Sequence, residues 1–220
     1  LSDLSDKNTM HYTINRITPA PLSSIDFSIA EEGRIAVVRP ESNGAAPETR
    51  FYVLHDGEAL YVQFCVNEAH VRSVQTVYQS PVYTDSCVEF FVQPVTGKGY
   101  FNIEINAGGT LLASYIEDPT RVPHGFAKWT PMDLAWGSQI EIYSTLPRVV
   151  EPEQAAQWTL RYRLPYALFE PFTGPLTEKI WRGNFYKCGD ATSHPHWVSW
   201  APLSARNFHL PTCFGSLSLA

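Results

Sequence analysis

The chain is poor in charge. Only 17% of its 220 residues are Asp, Glu, Lys or Arg, and the balance is −6. No long basic run occurs, which argues against nucleic acid as a partner, because phosphate backbones are held by clustered Lys and Arg. No apolar stretch approaches the roughly 20 residues that a membrane-spanning helix needs. Cysteine is scarce too, and Cys65, Cys87, Cys188 and Cys213 show no Cys-x-x-Cys spacing. Zinc knuckles therefore find no support. Cys65 and Cys87 each sit in an apolar strand pattern, where a free thiol packs as a small hydrophobe. The expectation is unpaired cysteines with Cys65 and Cys87 buried; a disulfide between two of the four is the alternative.

What the chain does have is punctuation. It holds 17 Pro and 13 Gly, with 13% aromatic and 44% hydrophobic residues. That mixture suits many short strands joined by turns rather than helices. Strands at short intervals, with no strand-helix-strand alternation, predict an all-β fold: a two-sheet antiparallel β-sandwich, immunoglobulin-like or jelly-roll-like. No internal repeat, low-complexity segment or linker interrupts it, so residues 1–220 read as one domain. The start, Leu1 to Asn8, is polar and is no signal peptide. It fits a cytosolic protein or a mature form whose leader has gone.

Taken in order, residues 1–33 have weak periodicity and are expected to wrap along an edge. Arg34 to Arg39 reads as a first strand and Ser42 to Pro47 as a loop. Asp56-Gly57 between alternating runs is a strong hairpin signal, with Leu60, Val62, Phe64 and Val66 as the core face. Asn67 to Tyr83 reads as a loop. Glu117 to Trp136 carries Pro119, Pro123 and Pro131 and reads as irregular cover for one end. Further strands are expected at Thr110–Ile116, Gln139–Thr145, Gln157–Leu164, Ile180–Cys188, His196–Trp200 and Phe214–Leu219, with one helical turn from Pro165.

The most informative stretch is Tyr83 to Asn106. Two strands flank a turn at Gly97-Lys98-Gly99. Side chains on a strand alternate between faces. Val88, Phe90 and Val92, with Phe101, Ile103 and Ile105, make an apolar face. The opposite face carries Glu89, Gln93, Asn102, Glu104 and Asn106, with Tyr83 just ahead of it. That is a hydrogen-bonding floor with an aromatic at its rim.

The runs Tyr-Thr-Asp-Ser-Cys-Val-Glu-Phe-Phe-Val and Tyr-Phe-Asn-Ile-Glu-Ile-Asn-Ala-Gly-Gly resemble the family 9 carbohydrate-binding modules, part of the wider DOMON-like β-sandwich group. So do Trp181–Asp190, Val198-Ser-Trp-Ala-Pro202, Asn207-Phe-His-Leu-Pro211 and Phe214-Gly-Ser-Leu217. The likeness runs from about Phe51 to the C-terminus. It implies a sugar held between two aromatic side chains over polar groups on the sheet. The implied clamp is Tyr83 and Phe208, both positions where the family commonly has Trp. The implied grip is Glu89, Asn102 and Glu104, then Asn106 and Tyr186; Arg182 could add a charge by alternation alone. The resemblance further implies a saccharide partner, service to xylan- or cellulose-type polysaccharide breakdown, an extracytoplasmic location and a monomer. It also implies structural calcium, for which Asn67, Glu68, Asp85, Asp118 and Asp190 are available oxygen donors, although no twelve-residue calcium loop exists.

Other readings stand beside this one. Glu89 and Glu104 could be solvated outer-face carboxylates, or a glycosidase acid pair. The chain is too short for a barrel of roughly 250 residues. A DOMON-type haem site would need a placed Met and His, and only Met10 and Met132 exist. Trp158, Trp181 and Trp200 read as core. His194-Pro195-His196 reads as a structural turn rather than a metal site.

Overall fold

The computed structural model describes residues 10–42 and 46–220. The reading of Leu1 to Asn8 as polar and no signal peptide, and the middle of the Ser42–Pro47 loop, lie outside the described residues. Fourteen strands form among those described. They are β1 (His11–Arg16), β2 (Gly33–Ile35), β3 (Val37–Val38), β4 (Glu48–His55), β5 (Ala59–Ser73), β6 (Cys87–Gln93) and β7 (Tyr100–Asn106), followed by β8 (Leu111–Val122), β9 (Gly125–Pro131), β10 (Glu141–Ser144), β11 (Val150–Pro165), β12 (Ile180–Cys188), β13 (Trp197–Ser199) and β14 (Gly215–Leu219).

One sheet runs β14-β12-β6-β7-β8-β9, with β13 and β3 continuing from the end of β12. The other runs β10-β11-β5-β4, with β2 on β4. The two pack into a β-sandwich. β1 stitches them together: His11–Ile14 pair in parallel with β14, and Asn15–Arg16 pair in parallel with β4. The N-terminal segment is therefore not only an edge wrapping, and the ladders are not all antiparallel. Tyr12 and Ile14 alternate inward and are fully buried, which holds β1 in place.

The core follows from alternation. Leu60, Val62, Phe64 and Val66 of β5 meet Val88, Phe90 and Val92 of β6, and Phe101, Ile103 and Ile105 of β7, in one apolar cluster. Phe185 of β12 is its hub. Its ring stacks on Phe51 of the opposite sheet at 3.7 Å and on Phe90 at 4.4 Å. Trp158 of β11, Trp181 of β12 and Trp200, just after β13, are buried. Cys87 is buried, but Cys65 is only half-buried, because it lies on the outer face of β5 beside Gln63. All four cysteines are free.

Three segments differ from the reading of the sequence. β5 continues through Asn67 to Ser73, where the pattern suggests a loop. Arg34 to Arg39 splits into β2 and β3. Glu117 to Trp136 is mostly a hairpin of β8 and β9. Its prolines are tolerated because β8 beyond Ile116 pairs only with β9, with register shifts on either side of Asp118. β9 is an edge strand, where a missing N–H costs no ladder bond. Helix is limited to short turns, including Leu134–Gly137 and Glu170–Thr173. Among the described residues no helix is long and apolar enough to cross a membrane.

A buried ion pair joins the sheets. Lys187 Nζ of β12 donates to Glu68 Oε1 of β5 at 3.1 Å, and both side chains are sealed from solvent. Glu68 also accepts from Ser86 Oγ at 2.7 Å and Trp158 Nε1 at 3.2 Å. Lys187 also donates to the Cys188 carbonyl, and its third partner is His196 Nε2 at 2.9 Å. Burial first, and Lys187 second, push the His196 pKa down to about 3. A neutral ring can accept from Lys187 while its Nδ1–H donates to the His194 carbonyl. The His-Pro-His turn thus serves structure. Removing one member of a buried pair leaves an uncompensated charge, at about 3–5 kcal/mol. Glu68→Ala should lower unfolding free energy by that order in urea titrations. A loss under about 1 kcal/mol would show that the pair contributes little.

Candidate functional site

The outer face of the β12-β6-β7-β8 sheet carries the site. Strand register aligns its side chains in rows. Tyr186, Glu89, Glu104 and Leu112 oppose one another across the four strands. The next row is Asn184, Phe91, Asn102 and Ser114. Above Glu89, Glu104, Asn102 and Ser114 lies a cavity of about 510 Å³. Tyr83, on a turn before β6, and Phe208, in the loop before β14, are both in its wall.

Two hydrogen bonds set the floor. The Ser114 backbone N–H donates to Asn102 Oδ1 at 2.8 Å, which turns the amide so that Nδ2 donates to Glu104 Oε1 at 2.7 Å. Glu89 Oε1 accepts from the Cys188 thiol at 3.0 Å. Glu104 Oε2 is buried and has no partner; of the buried polar atoms in that state among the described residues, it is the one in this cavity.

Burial governs the acids. It raises the Glu104 pKa to about 7; the Asn102 hydrogen bond pulls the other way, Asp190 adds to the rise and Arg121 opposes it. Glu89 is pushed well above the carboxylate range, by burial first, then by Cys188 and the Glu104 charge. Burial next to Arg121 drives His209 down to about 3. That neutral ring packs on Phe126 at 4.5 Å and Phe91 at 4.7 Å, with Nδ1 at 2.9 Å from the Tyr100 hydroxyl.

The residues singled out by sequence fall into three groups. Tyr83, Glu89, Asn102, Glu104 and Phe208 share the cavity. Tyr83 is 41% exposed, so its ring is open to a ligand. Tyr186 is fully buried and stands behind Phe208, with ring centroids 4.2 Å apart and planes at 14°; its hydroxyl donates to the Phe208 carbonyl at 2.9 Å. It supports the wall rather than lining it. Asn106 and Arg182 stand outside the cavity. Asn106 is saturated by Gln75, Asp85 and the Thr110 N–H. Arg182 donates to the Phe214 carbonyl at 2.7 Å.

The cavity also holds residues that the sequence reading passed over. Arg121, Phe126 and Trp129 come from the β8–β9 hairpin, and Trp197, Arg206 and His209 from the C-terminal segments. The available signal was Val122-Pro123-His124-Gly125, a turn between two runs that contain aromatics. The three prolines of the Glu117 to Trp136 segment concealed the pairing.

Calcium does not fit the oxygen donors expected of it. Asp85 is taken by Arg72, two backbone N–H groups and Asn106. Glu68 is held by Lys187, Ser86 and Trp158. Asp190 accepts from Trp197 Nε1 and Asp118 from the Thr120 N–H. Asp85 and Glu68 are filled, Asp118 and Asp190 each accept one bond, and among the described residues no three of these acids bring their oxygens together as calcium's oxygen cage requires.

A carbohydrate-binding family 9 model matches residues 22–219. The chain belongs to carbohydrate-binding family 9. A crystal structure of a Bacteroides uniformis ATCC 8492 protein, whose carbohydrate binding is itself inferred, is 27% identical to it. That match covers 97% of this chain and all of that one, with a TM-score of 0.82. Two structures of a family 9 module from Caldicellulosiruptor kristjanssonii, one with glucose and one with cellotriose, share the fold. Both have TM-scores of 0.64, at 13% and 14% identity, over 96% of this chain and 96% and 93% of theirs. No curated protein sequence matches.

The floor acids make stability depend on pH. A carboxyl whose folded pKa lies above its unfolded value stabilises the fold fully below the unfolded pKa, and that contribution is lost as pH rises through the folded one. For Glu104 the window runs from about 4.5 to about 7. Glu104→Gln, neutral at every pH, should gain on the wild type across that window and hold a constant difference above it. Thermal melts at stepped pH measure this; parallel curves for the two proteins would place Glu104 in contact with water.

Proposed function

We propose that this family member binds carbohydrate and leaves it intact. The observation that carries the reading is Glu104 Oε2, a buried oxygen at the floor of an open cavity with no partner in the protein. An unmade hydrogen bond at a buried polar atom costs about 1–3 kcal/mol. A small rotation of the carboxyl toward the cavity would let a sugar hydroxyl supply the missing partner. Glu89, Asn102 and the rim provide further polar contacts, and Tyr83 and Phe208 offer ring faces to the C–H side of a pyranose. Phe208 has its other face against Tyr186. Trp129 and Phe126 widen the aromatic wall beyond the pair that the sequence suggests. A preformed concave site with few convergent polar groups is the usual small-ligand design. The family's solved complexes with glucose and cellotriose favour neutral gluco-sugars as first probes. Service to xylan- or cellulose-type polysaccharide breakdown outside the cytoplasm extends the same reading.

A glycosidase is the rival that one observation favours: Glu89 and Glu104 sit directly opposite each other on paired strands. That mechanism needs one acid and one ionised carboxylate about a water or a sugar carbon. Both carboxyls are raised by burial, a state that such a pair can also use, so sugar release is what separates the two readings.

Calorimetry with cello- and xylo-oligosaccharides tests the proposal. Stacking of an aromatic on a ligand ring is worth on the order of 1–3 kcal/mol, so Tyr83→Ala and Phe208→Ala should each weaken binding roughly ten- to hundred-fold. Trp129→Ala should weaken it in the same direction. No reducing sugar should be released on long incubation. Unchanged affinity in all three variants would remove the aromatic wall from the account, and sugar release lost on Glu104→Gln would establish the glycosidase instead.

A further inference from the structure

We propose that the preferred sugar of this cavity is anionic, a uronic acid or a uronate-bearing saccharide, with Arg121 and Arg206 as the residues that select it. The inference rests on the carbohydrate reading above and names the class of sugar.

The acidic groups at the cavity are already engaged. Arg39 and Glu41 face each other as a two-point pair, through Nε at 3.2 Å and Nη2 at 3.1 Å. Asp190 accepts from the Trp197 indole at 2.7 Å. Glu104 bonds Asn102, and Glu89 bonds the Cys188 thiol. Every carboxyl in the cavity therefore has a donor within the protein, and the two floor acids are buried, where the neutral form is favoured. The two remaining guanidinium groups are different. Arg121 lies 4.2 Å above the Phe126 ring and Arg206 5.7 Å above the Trp197 ring. Among the described residues neither comes within 4.0 Å of a carboxylate oxygen. They influence nearby acids from farther off: Arg206 acts on Asp190 and Glu41, and Arg121 on Glu104.

A guanidinium that sits over an aromatic ring with no carboxylate beside it has an N–H edge to offer a ligand. That edge matches a carboxylate in two parallel hydrogen bonds, which a lone hydroxyl cannot reproduce. Arg121 extends from the β8–β9 hairpin and Arg206 from the 203–210 loop, so the two come from different parts of the chain to one cavity. A pyranose that carries a carboxylate in place of its hydroxymethyl group would set its ring against the aromatic wall and its hydroxyls on the floor. Its charge would then reach the rim.

The experiment is calorimetry of the whole chain at neutral pH and low salt with matched probes. Suitable pairs are methyl glucoside and methyl glucuronide, methyl galactoside and methyl galacturonide, and xylotriose with and without a glucuronate branch. In at least one pair the uronate should bind about tenfold more tightly than its neutral partner, the scale of a charge-assisted hydrogen bond. High salt should shrink that ratio, because rim charges are screened. Arg121→Gln with Arg206→Gln should bring it close to one; both side chains are exposed, so folding is not at stake. Arg34→Gln, on an exposed residue outside the cavity, should preserve it. Neutral members binding as tightly as uronates in every pair would overturn this inference and leave the carbohydrate reading standing. A uronate preference that survives the double variant would overturn the role of the arginines. No binding by either member of any pair would overturn both readings together.

Discussion

The constraint on which the site depends is a sheet buried on both faces. Every residue of β7, Tyr100 to Asn106, is shielded from solvent. Antiparallel sheets commonly leave one face wet. Here the second face is covered by the turn at Tyr83, the β8–β9 hairpin and the loop before β14. Polar groups beneath that cover cannot turn to bulk water, so each must find a partner in the chain or do without. Asn106, Asn184 and Asn102 find theirs. Glu104 Oε2 does not, and the raised pKa values of the floor acids have the same origin in burial.

One strand joins this floor to the rest of the molecule. Lys187 and Cys188 are neighbours on β12 and so point to opposite faces. Lys187 reaches inward to Glu68 on the other sheet, and Cys188 reaches outward to Glu89 at the cavity. Phe185, two positions before Lys187, fills the centre of the core. The cavity floor therefore inherits the rigidity of the sandwich. Its rim is built from loops and a two-stranded extension.

Alternation alone makes the floor legible in the sequence. Glu89, Asn102 and Glu104 lie on one face because a strand has a period of two, and that rule holds here. It fixes only the face, however, and not what lies over it. Tyr186 shares the outward face of β12, yet Phe208 covers it; Arg182 shares it too, yet reaches a backbone carbonyl instead. Asn106 sits where β7 ends, and neighbouring loops claim its amide. The missed wall has another cause. Pro119, Pro123 and Pro131 argue against a ladder in a central strand, but Pro119 lies where β8 pairs only with β9, Pro123 lies in the turn, and Pro131 lies on the edge strand β9. Calcium is implied by resemblance alone; the chain's own donors fill Asp85 and Glu68, and no three of the expected acids converge among the described residues. Overall topology is partly hidden, since nothing in His11–Arg16 announces a parallel strand shared by two sheets.

We propose that a ligand assembles around the open hydrogen bond of Glu104. A crystal structure of the protein soaked with a saccharide that it binds tests this most directly. The account predicts a sugar ring between Tyr83 and the Phe208 side of the cavity, with one hydroxyl oxygen about 2.5–3.0 Å from Glu104 Oε2. A saccharide bound elsewhere, with a water left on Glu104 Oε2, would contradict it.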